Sequence, residues 1–446
     1  MPEERIKSEK LPETWASRRT FLKKVTSIAA TSIALPYYVR SSALGKDAAI
    51  APSNRITVAM IGVGGHGGGT NLPGFLAQPD ARVLAVCDVD SERCRRAQDK
   101  VNQKYHNNDC SACSDFREIL DRDDIDAVMI STPDHWHVPI AIAAARAGKD
   151  ICCEKPTLTI HQGRVLADTI KRYNRVFQTS TEDRSLFVYH RMAELVRNGR
   201  IGKLHTIHVG LPAGWHVNGN HGKIQKPQPI PRDFDYDMWL GPAQYAPYTP
   251  GRCHWNFRWI LDYSGGQLTD WGAHIVDTAQ WANNTERTGP LQIDGHGIFP
   301  EDSLYNTATE YHIKYKYANG VTMFIDSGPV SLHFEGTEGR LGNIGWRGNL
   351  QASSPAILNS IIKPDEIHLY TEPAGEHRNF LDCVKSRRDP YFPAEIGHRC
   401  CTVLHLGNIS MLLGRKLKWD PEKERFPHDP QANTMLSRTM RSGWHL

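Results

Sequence analysis

The sequence contains no H-E-x-x-H pair and no G-x-x-x-x-G-K-S/T loop, which excludes the usual zinc-protease and P-loop nucleotidase sites. It has no internal repeat and no low-complexity tract, so a solenoid or a disordered array is excluded. Charge of one sign is also missing from most of it. Residues 1–46 hold nine Lys/Arg against four Asp/Glu, whereas the remainder holds 44 against 45. The net +4 therefore belongs to the N-terminus, and the charge balance of the body makes no electrostatic case for nucleic acid. Ten cysteines are present, but Cys110 and Cys113 form a lone C-x-x-C with no second pair, which argues against a zinc ribbon. Cys87, Cys152 and Cys401 lie in apolar runs and read as core, so no disulfide framework is expected. Long apolar runs are absent too. The mildly apolar segment from Val25 to Val39 is too short for a comfortable membrane span.

What precedes that segment is informative. Ser17-Arg18-Arg19-Thr20-Phe21-Leu22-Lys23 reads as a twin-arginine export signal. Cleavage after Ala43 is expected, which implies the twin-arginine machinery as a partner and a periplasmic destination for a protein that crosses already folded. An uncleaved signal would leave it membrane-associated.

The body opens on its strongest motif. An apolar run from Ile56 to Ile61 feeds into Gly62-Val63-Gly64-Gly65-His66-Gly67, and a second run from Val83 to Cys87 ends at Asp88. Strand, G-x-G-x-x-G turn, helix, strand and acid make up the dinucleotide fingerprint in its required context. Gly62 allows the tight turn, Gly64 lets a pyrophosphate approach the backbone, and Gly67 lets helix and strand pack closely. Asp88 would accept from ribose hydroxyls, which favours NAD over NADP. Arg93 is a candidate to stack on the adenine.

Strands and helices alternate from 54 to 180, as a doubly wound parallel sheet requires. Strand ends fall at Gly62, Asp88, Ser131 and Cys153, and ligands in such sheets bind outside those ends. Val138 to Ala147 is expected as a helix closed by Gly148. From 181 to 420 the pattern reads as an α+β domain with an open, largely antiparallel sheet. Strands are expected near 291–299, 308–318, 320–327, 332–336 and 366–370, and helices over 188–198, 267–282, 376–387 and 398–413. Residues 421–446 read as a polar arm packed on a neighbouring subunit.

Glu154-Lys155-Pro156 ends a strand of the cofactor domain. A lysine there can hydrogen-bond a substrate oxygen and stabilise developing alkoxide charge. With the glycine turn, Asp88 and the segment Ser131-Thr132-Pro133-Asp134-His135-Trp136-His137, it gives the chain from 54 to about 420 a clear resemblance. The sequence resembles the glucose–fructose oxidoreductase, inositol dehydrogenase and rhizopine-catabolism (Gfo/Idh/MocA) family. The resemblance implies that Lys155 is an active-site residue, and that Glu154, Thr132, Pro133 and His137 lie around the nicotinamide ribose. It also implies a homo-oligomer, a dimer or tetramer. Asp270 and His274 are four apart, hence on one face of a helix. An imidazole steered by a carboxylate is a good proton acceptor. The resemblance to the inositol-dehydrogenase branch gives His274 that role and Asp270 the orienting one. In Gln178–Ser185 the sequence departs from the family, with Glu182 and Asp183 standing where relatives carry glutamines.

Many of the 11 tryptophans crowd into residues 215–281. Trp215, His216, Arg252, Arg258 and Trp271 are candidate carbohydrate contacts, because indole faces stack on sugar C–H faces while His and Arg bond hydroxyls. His216, His221 and His254 offer a metal set only at irregular spacing, and no metal centre is expected. The expected function is an exported, NAD-dependent oxidoreductase acting on a sugar, cyclitol or glycoside hydroxyl, with NAD held tightly. The alternative is a glycoside hydrolase or lyase of the same fold that works by transient sugar oxidation. A non-catalytic NAD- or sugar-binding protein is the third reading.

Overall fold

The computed structural model describes residues 50–51, 54–214 and 222–446. The twin-arginine segment and Trp215, His216 and His221 lie outside the described residues. The chain divides at Asn54, and the body runs from Arg55 to Leu446.

The first sheet has six parallel strands: β1 (Ile56–Ile61), β2 (Ala81–Cys87), β3 (Ser111–Cys113), β4 (Ala127–Ile130), β5 (Asp150–Glu154) and β6 (Phe177–Ser180). Their order is β3-β2-β1-β4-β5-β6, the doubly wound arrangement. The inner strands are apolar without alternation because helices cover both faces. Helix α1 (Ser91–Tyr105) is capped by Asp90, whose side chain accepts from the Arg93 N–H. Helix α2 spans Asp134–Arg146, and α3 spans Ile160–Tyr173 with Thr159 as its cap. Helix α2 starts four residues before the apolar run does. Its first turn, Asp134–His137, is polar by sequence yet buried, with the ring of His135 bonded by Nε2 to the Trp239 carbonyl.

The second sheet has eight strands. β7 (Leu204–Leu211) is followed by β8 (Gln292–Ile298), β9 (Glu310–Lys316), β10 (Thr322–Ser327), β11 (Ser331–Gly336), β12 (Gly339–Ile344), β13 (Gln351–Ala352) and β14 (Leu417–Lys418). The order is β13-β12-β11-β7-β10-β9-β8-β14, antiparallel except for the β7–β10 pair. One face is core: Tyr311, Ile313 and Tyr315 of β9 point in, while His312 and Lys314 alternate outward. Helices α4 (Phe187–Arg197), α5 (Gly272–Ala282) and α7 (Ala394–Leu413) contribute to the core on the buried face.

Three expectations are corrected. Residues 366–370 are not a strand, because side chains of α4 take up their backbone groups: Glu194 accepts from the Leu369 N–H and Asn198 from the Ile367 N–H. The helix expected over 267–282 breaks at Trp271 into Gln267–Asp270 and α5. The C-terminal residues fold onto their own chain rather than serving only as an arm for a neighbour. Trp444 packs edge-on against Trp136 at 4.8 Å, and Arg441 pairs with Asp237. Helix α6 (Glu376–Ser386) crosses the expected division of labour, since its Phe380, Leu381 and Cys383 join the core under β1 and β4.

Candidate active site

Glycine is required where the first turn begins. Gly62 has φ +83°, and a Cβ there would lie 2.7 Å from the Ser131 backbone. A Cβ on Gly67 would lie 2.1 Å from the Gly62 carbonyl, so the chain after β1 is pressed against the end of β4. That cradle is shaped for a group bound against the backbone. Asp88 completes it by accepting from the Val63 and Asp90 N–H groups at 2.8 and 2.9 Å. Burial pushes its carboxyl above the usual range. Arg93 pairs with Asp90 at 3.0 Å, and its guanidinium reaches over Gly64.

These residues open into a cavity of about 570 Å³ that runs past Thr132, Pro133 and Glu154 to Lys155, Asp270, Trp271 and His274. The cavity thus brings together all the residues expected to bind the cofactor except Gly67, which lies directly beneath it, and all three expected to act in catalysis. His137 lines it too, but as a brace. Its Nδ1 lies 2.8 Å from the Pro156 carbonyl and its Nε2 2.8 Å from that of Thr132, which ties two strand-end turns together. Arg252 does not line the cavity; it sits against Tyr263, with Nη1 3.3 Å from the hydroxyl.

The orienting role expected of Asp270 toward His274 is corrected. The Asp270 carboxylate accepts from Lys155 Nζ at 2.9 Å, and its carbonyl accepts from the same ammonium at 2.7 Å. Arg258 approaches its other oxygen at 3.4 Å. In a dry site a carboxylate gains more from two cations than from a neutral imidazole. Burial opposes the charge on Asp270, but Lys155 and Arg258 outweigh it and hold its carboxyl well below the usual range. Burial likewise disfavours the Lys155 ammonium, and the carboxylates of Asp270 and Glu154 reverse the sign. Lys155 is therefore a charged donor, 10% exposed, at the cavity wall.

His274 is held instead by Thr181, whose Oγ1 lies 2.6 Å from Nδ1. Burial, then the Lys155 charge, push its imidazolium down to about 3, so the ring is neutral, and in the tautomer that donates Nδ1–H to Thr181 its Nε2 is an acceptor. Thr181 and Trp346 are neighbours that the sequence reading did not assign to this site; Arg258, read from the sequence as one of the candidate carbohydrate contacts, is instead turned to Asp270. Trp346 packs edge-on against Trp271 at 5.6 Å and walls the same end of the cavity. Only Thr181 carried a signal: it follows a parallel strand, where site residues collect.

Glu154 accepts from Asn71 at 2.8 Å and from His66 of the glycine turn at 3.1 Å. Burial opposes its charge, but His66 prevails and the carboxyl falls to about 2. The Glu154 hydrogen bond raises the His66 imidazolium above 6.5 in turn. The pair's contribution to stability is thus whole between about pH 4.5 and 6.5; it is lost as pH rises through the raised His66 value, and in acid as pH falls through the lowered Glu154 value. The thermal midpoint is expected to fall as pH rises through the His66 value in the wild type and to do so less in His66→Gln. Parallel profiles for the two proteins would show that the pair contributes nothing; His66 is half-exposed, so the effect is modest.

Fold and cavity together define a two-domain dinucleotide-binding protein with an ammonium and a neutral imidazole at one end of its cleft. Residues 56–181 match the NAD-binding Rossmann-fold domain of the Gfo/Idh/MocA oxidoreductase family, and residues 188–446 match that family's C-terminal alpha/beta domain. The chain belongs to this family. Curated relatives named glycosyl hydrolase family 109 proteins include one from Saccharopolyspora erythraea, 36% identical over 124 residues (27% of each chain). Another, from Solibacter usitatus, is 30% identical over 200 residues, 42% of this chain and 44% of the relative. The chain thus spans less than half the length of the curated relatives it matches. The WlbA dehydrogenase from Bordetella pertussis, solved with NADH and UDP-GlcNAcA, superposes with a TM-score of 0.62 at 14% identity, over 82% of this chain and 99% of that one. GenD2 from gentamicin A biosynthesis, solved with NAD, gives 0.60 at 18%, over 82% and 97%.

Proposed function

We propose that this protein oxidises a hydroxyl of a sugar, cyclitol or glycoside, using NAD rather than NADP. The observation that carries the reading is the convergence of the Lys155 ammonium and the neutral His274 on one end of a cavity whose other end is the Gly62–Asp88 cradle. Gly62, Gly64, Gly67, Asp88 and Arg93 would hold the dinucleotide, and Asp88 offers carboxylate oxygens where a 2′-phosphate would be repelled. Bound NAD supplies a hydride acceptor. The chain's own part is the proton. A carbinol carbon that loses hydride must also lose its hydroxyl proton, and His274 takes it on its free nitrogen. Lys155 donates to the same oxygen and stabilises its partial negative charge, while Asp270 keeps that ammonium aimed and charged. Trp271 and Trp346 offer aromatic edges and faces to a sugar ring.

A second reading is favoured by the family 109 names of the relatives. The ketone made by oxidation acidifies the adjacent C–H, a base removes that proton, the glycosidic oxygen leaves, and water replaces it before the carbonyl is reduced again. Such a cycle uses no net cofactor and suits a tightly held NAD. It also suits the export proposed from Arg18 and Arg19, because no soluble NAD supply is needed outside the cytoplasm. The outward face of the second sheet is proposed to pair with a second copy.

The test is incubation of the purified protein with NAD and a panel of free sugars and aryl glycosides. Rising absorbance at the NADH band supports net oxidation. Aglycone release without that rise supports the cleavage cycle. Neither signal, in protein shown to bind NAD, would overturn both.

A further inference from the structure

We propose that Glu182, Asp183 and His274 form a binding site for a divalent first-row cation behind the His274 wall of the cavity. One ligand atom from each of the three lies within 4.8 Å of the others. Donors at about 2.0–2.2 Å from a shared ion lie no more than about 4.4 Å apart, so small side-chain rotations close the set.

The observation that points to an ion is Asp183. It is fully buried at the turn after β6. Its Oδ1 accepts from the Trp346 indole N–H at 3.1 Å, while its Oδ2 is buried without a hydrogen-bond partner among the described residues. The neighbouring cations are committed elsewhere. Arg184 is bound to Asp277 and Glu286, Arg347 to Glu182, and Lys155 and Arg258 to Asp270. Burial and the neighbouring Glu182 carboxylate push the Asp183 carboxyl up, so its charged form is costly until a proton or a cation completes it, and the nearby His274 and Glu182 are what make a cation the alternative to a proton.

The three candidate ligands are also held as metal ligands are held, by outer groups that fix their aim. Thr181 sits on His274 Nδ1, and among the described residues Nε2 has no hydrogen-bond partner. Trp346 holds Asp183, and Arg347 holds one oxygen of Glu182 while the other stays uncommitted. Two carboxylates and one imidazole suit Mn²⁺ or Zn²⁺ better than Mg²⁺ or Ca²⁺, which prefer oxygen alone. Of the three ligands only His274 lines the cavity, so a carbohydrate oxygen would reach the ion from the His274 side. The inference bears on the reaction proposed above: an ion on His274 takes the lone pair that residue would otherwise offer, and in the loaded protein the ion, not the imidazole, would acidify the hydroxyl.

Binding is therefore read without turnover. Untagged full-length protein, stripped with chelator and dialysed, is titrated with Mn²⁺ alone, and free Mn²⁺ is followed by its electron paramagnetic resonance signal. One ion per chain is expected, displaced by Zn²⁺. Affinity is expected to fall at least tenfold in Asp183→Asn and in Glu182→Gln. Glu182 is part-exposed at the surface, so the second variant answers the question if the first fails to fold; NAD binding by each reports an intact fold. No stoichiometric ion in the wild type, or unchanged affinity in a folded variant, would overturn the site.

Discussion

Lys155→Met is expected to lower kcat/KM by about 10³-fold, the combined scale of losing a charged donor to a developing alkoxide and of disturbing the proton path. The side chain keeps its length and apolar stem, so packing changes little. NAD affinity should stay within a few-fold of wild type, since the Gly62 turn and Asp88 are untouched. The loss should fall mainly on kcat, because the interaction strengthens as negative charge grows on the substrate oxygen. Asp270 then keeps only Arg258, at 3.4 Å, and its carboxyl should titrate higher. Steady-state kinetics on the substrate found in the panel, with a fluorescence titration of NAD, check both halves. A variant within tenfold of wild type would remove Lys155 from the chemistry.

Arg184→Met is expected to cost about 3–5 kcal/mol of stability at neutral pH, the scale of breaking a buried ion pair from one side. Arg184 is 3% exposed and forms a fork to Asp277 at 2.7 and 2.8 Å, with a third bond to Glu286 at 2.7 Å. It also donates to the Tyr391 carbonyl at 2.8 Å and lies over the rings of Trp281 and Phe392. Removing it strands the Asp277 carboxylate, which is wholly buried. Burial already raises the Asp277 carboxyl above its ordinary range even with the arginine present. Without it, protonation is the cheapest relief, so the deficit should shrink as pH falls. Urea unfolding at two pH values measures this. A deficit below about 1 kcal/mol, or one that grows in acid, would show that the pair is not what holds this turn. Because Thr181 and Asp183 sit on the same turn, the variant should also loosen His274.

The nucleotide half of the site was legible because its information is local. Ile56–Ile61, the glycines and Asp88 lie on one strand–turn–helix–strand unit, and each has a role that a short-range steric or hydrogen-bond argument supplies. Glu154-Lys155-Pro156 was legible for the same reason, as a motif at a strand end. The sequence alone also determined the broad architecture, because buried parallel strands and half-buried antiparallel ones differ in their apolar period. Only the tertiary structure decided the partners. Asp270 and His274 share a helical spacing, yet Asp270 bonds Lys155, 115 residues away, and Thr181 holds His274 from 93 residues away. Periodicity reports that a face is buried but not what it is buried against, and a buried charge takes the nearest counter-charge that the topology delivers. The same limit explains why α6, late in the chain, closes the first sheet's core, and why Trp346 walls a site that nothing near it in sequence announces.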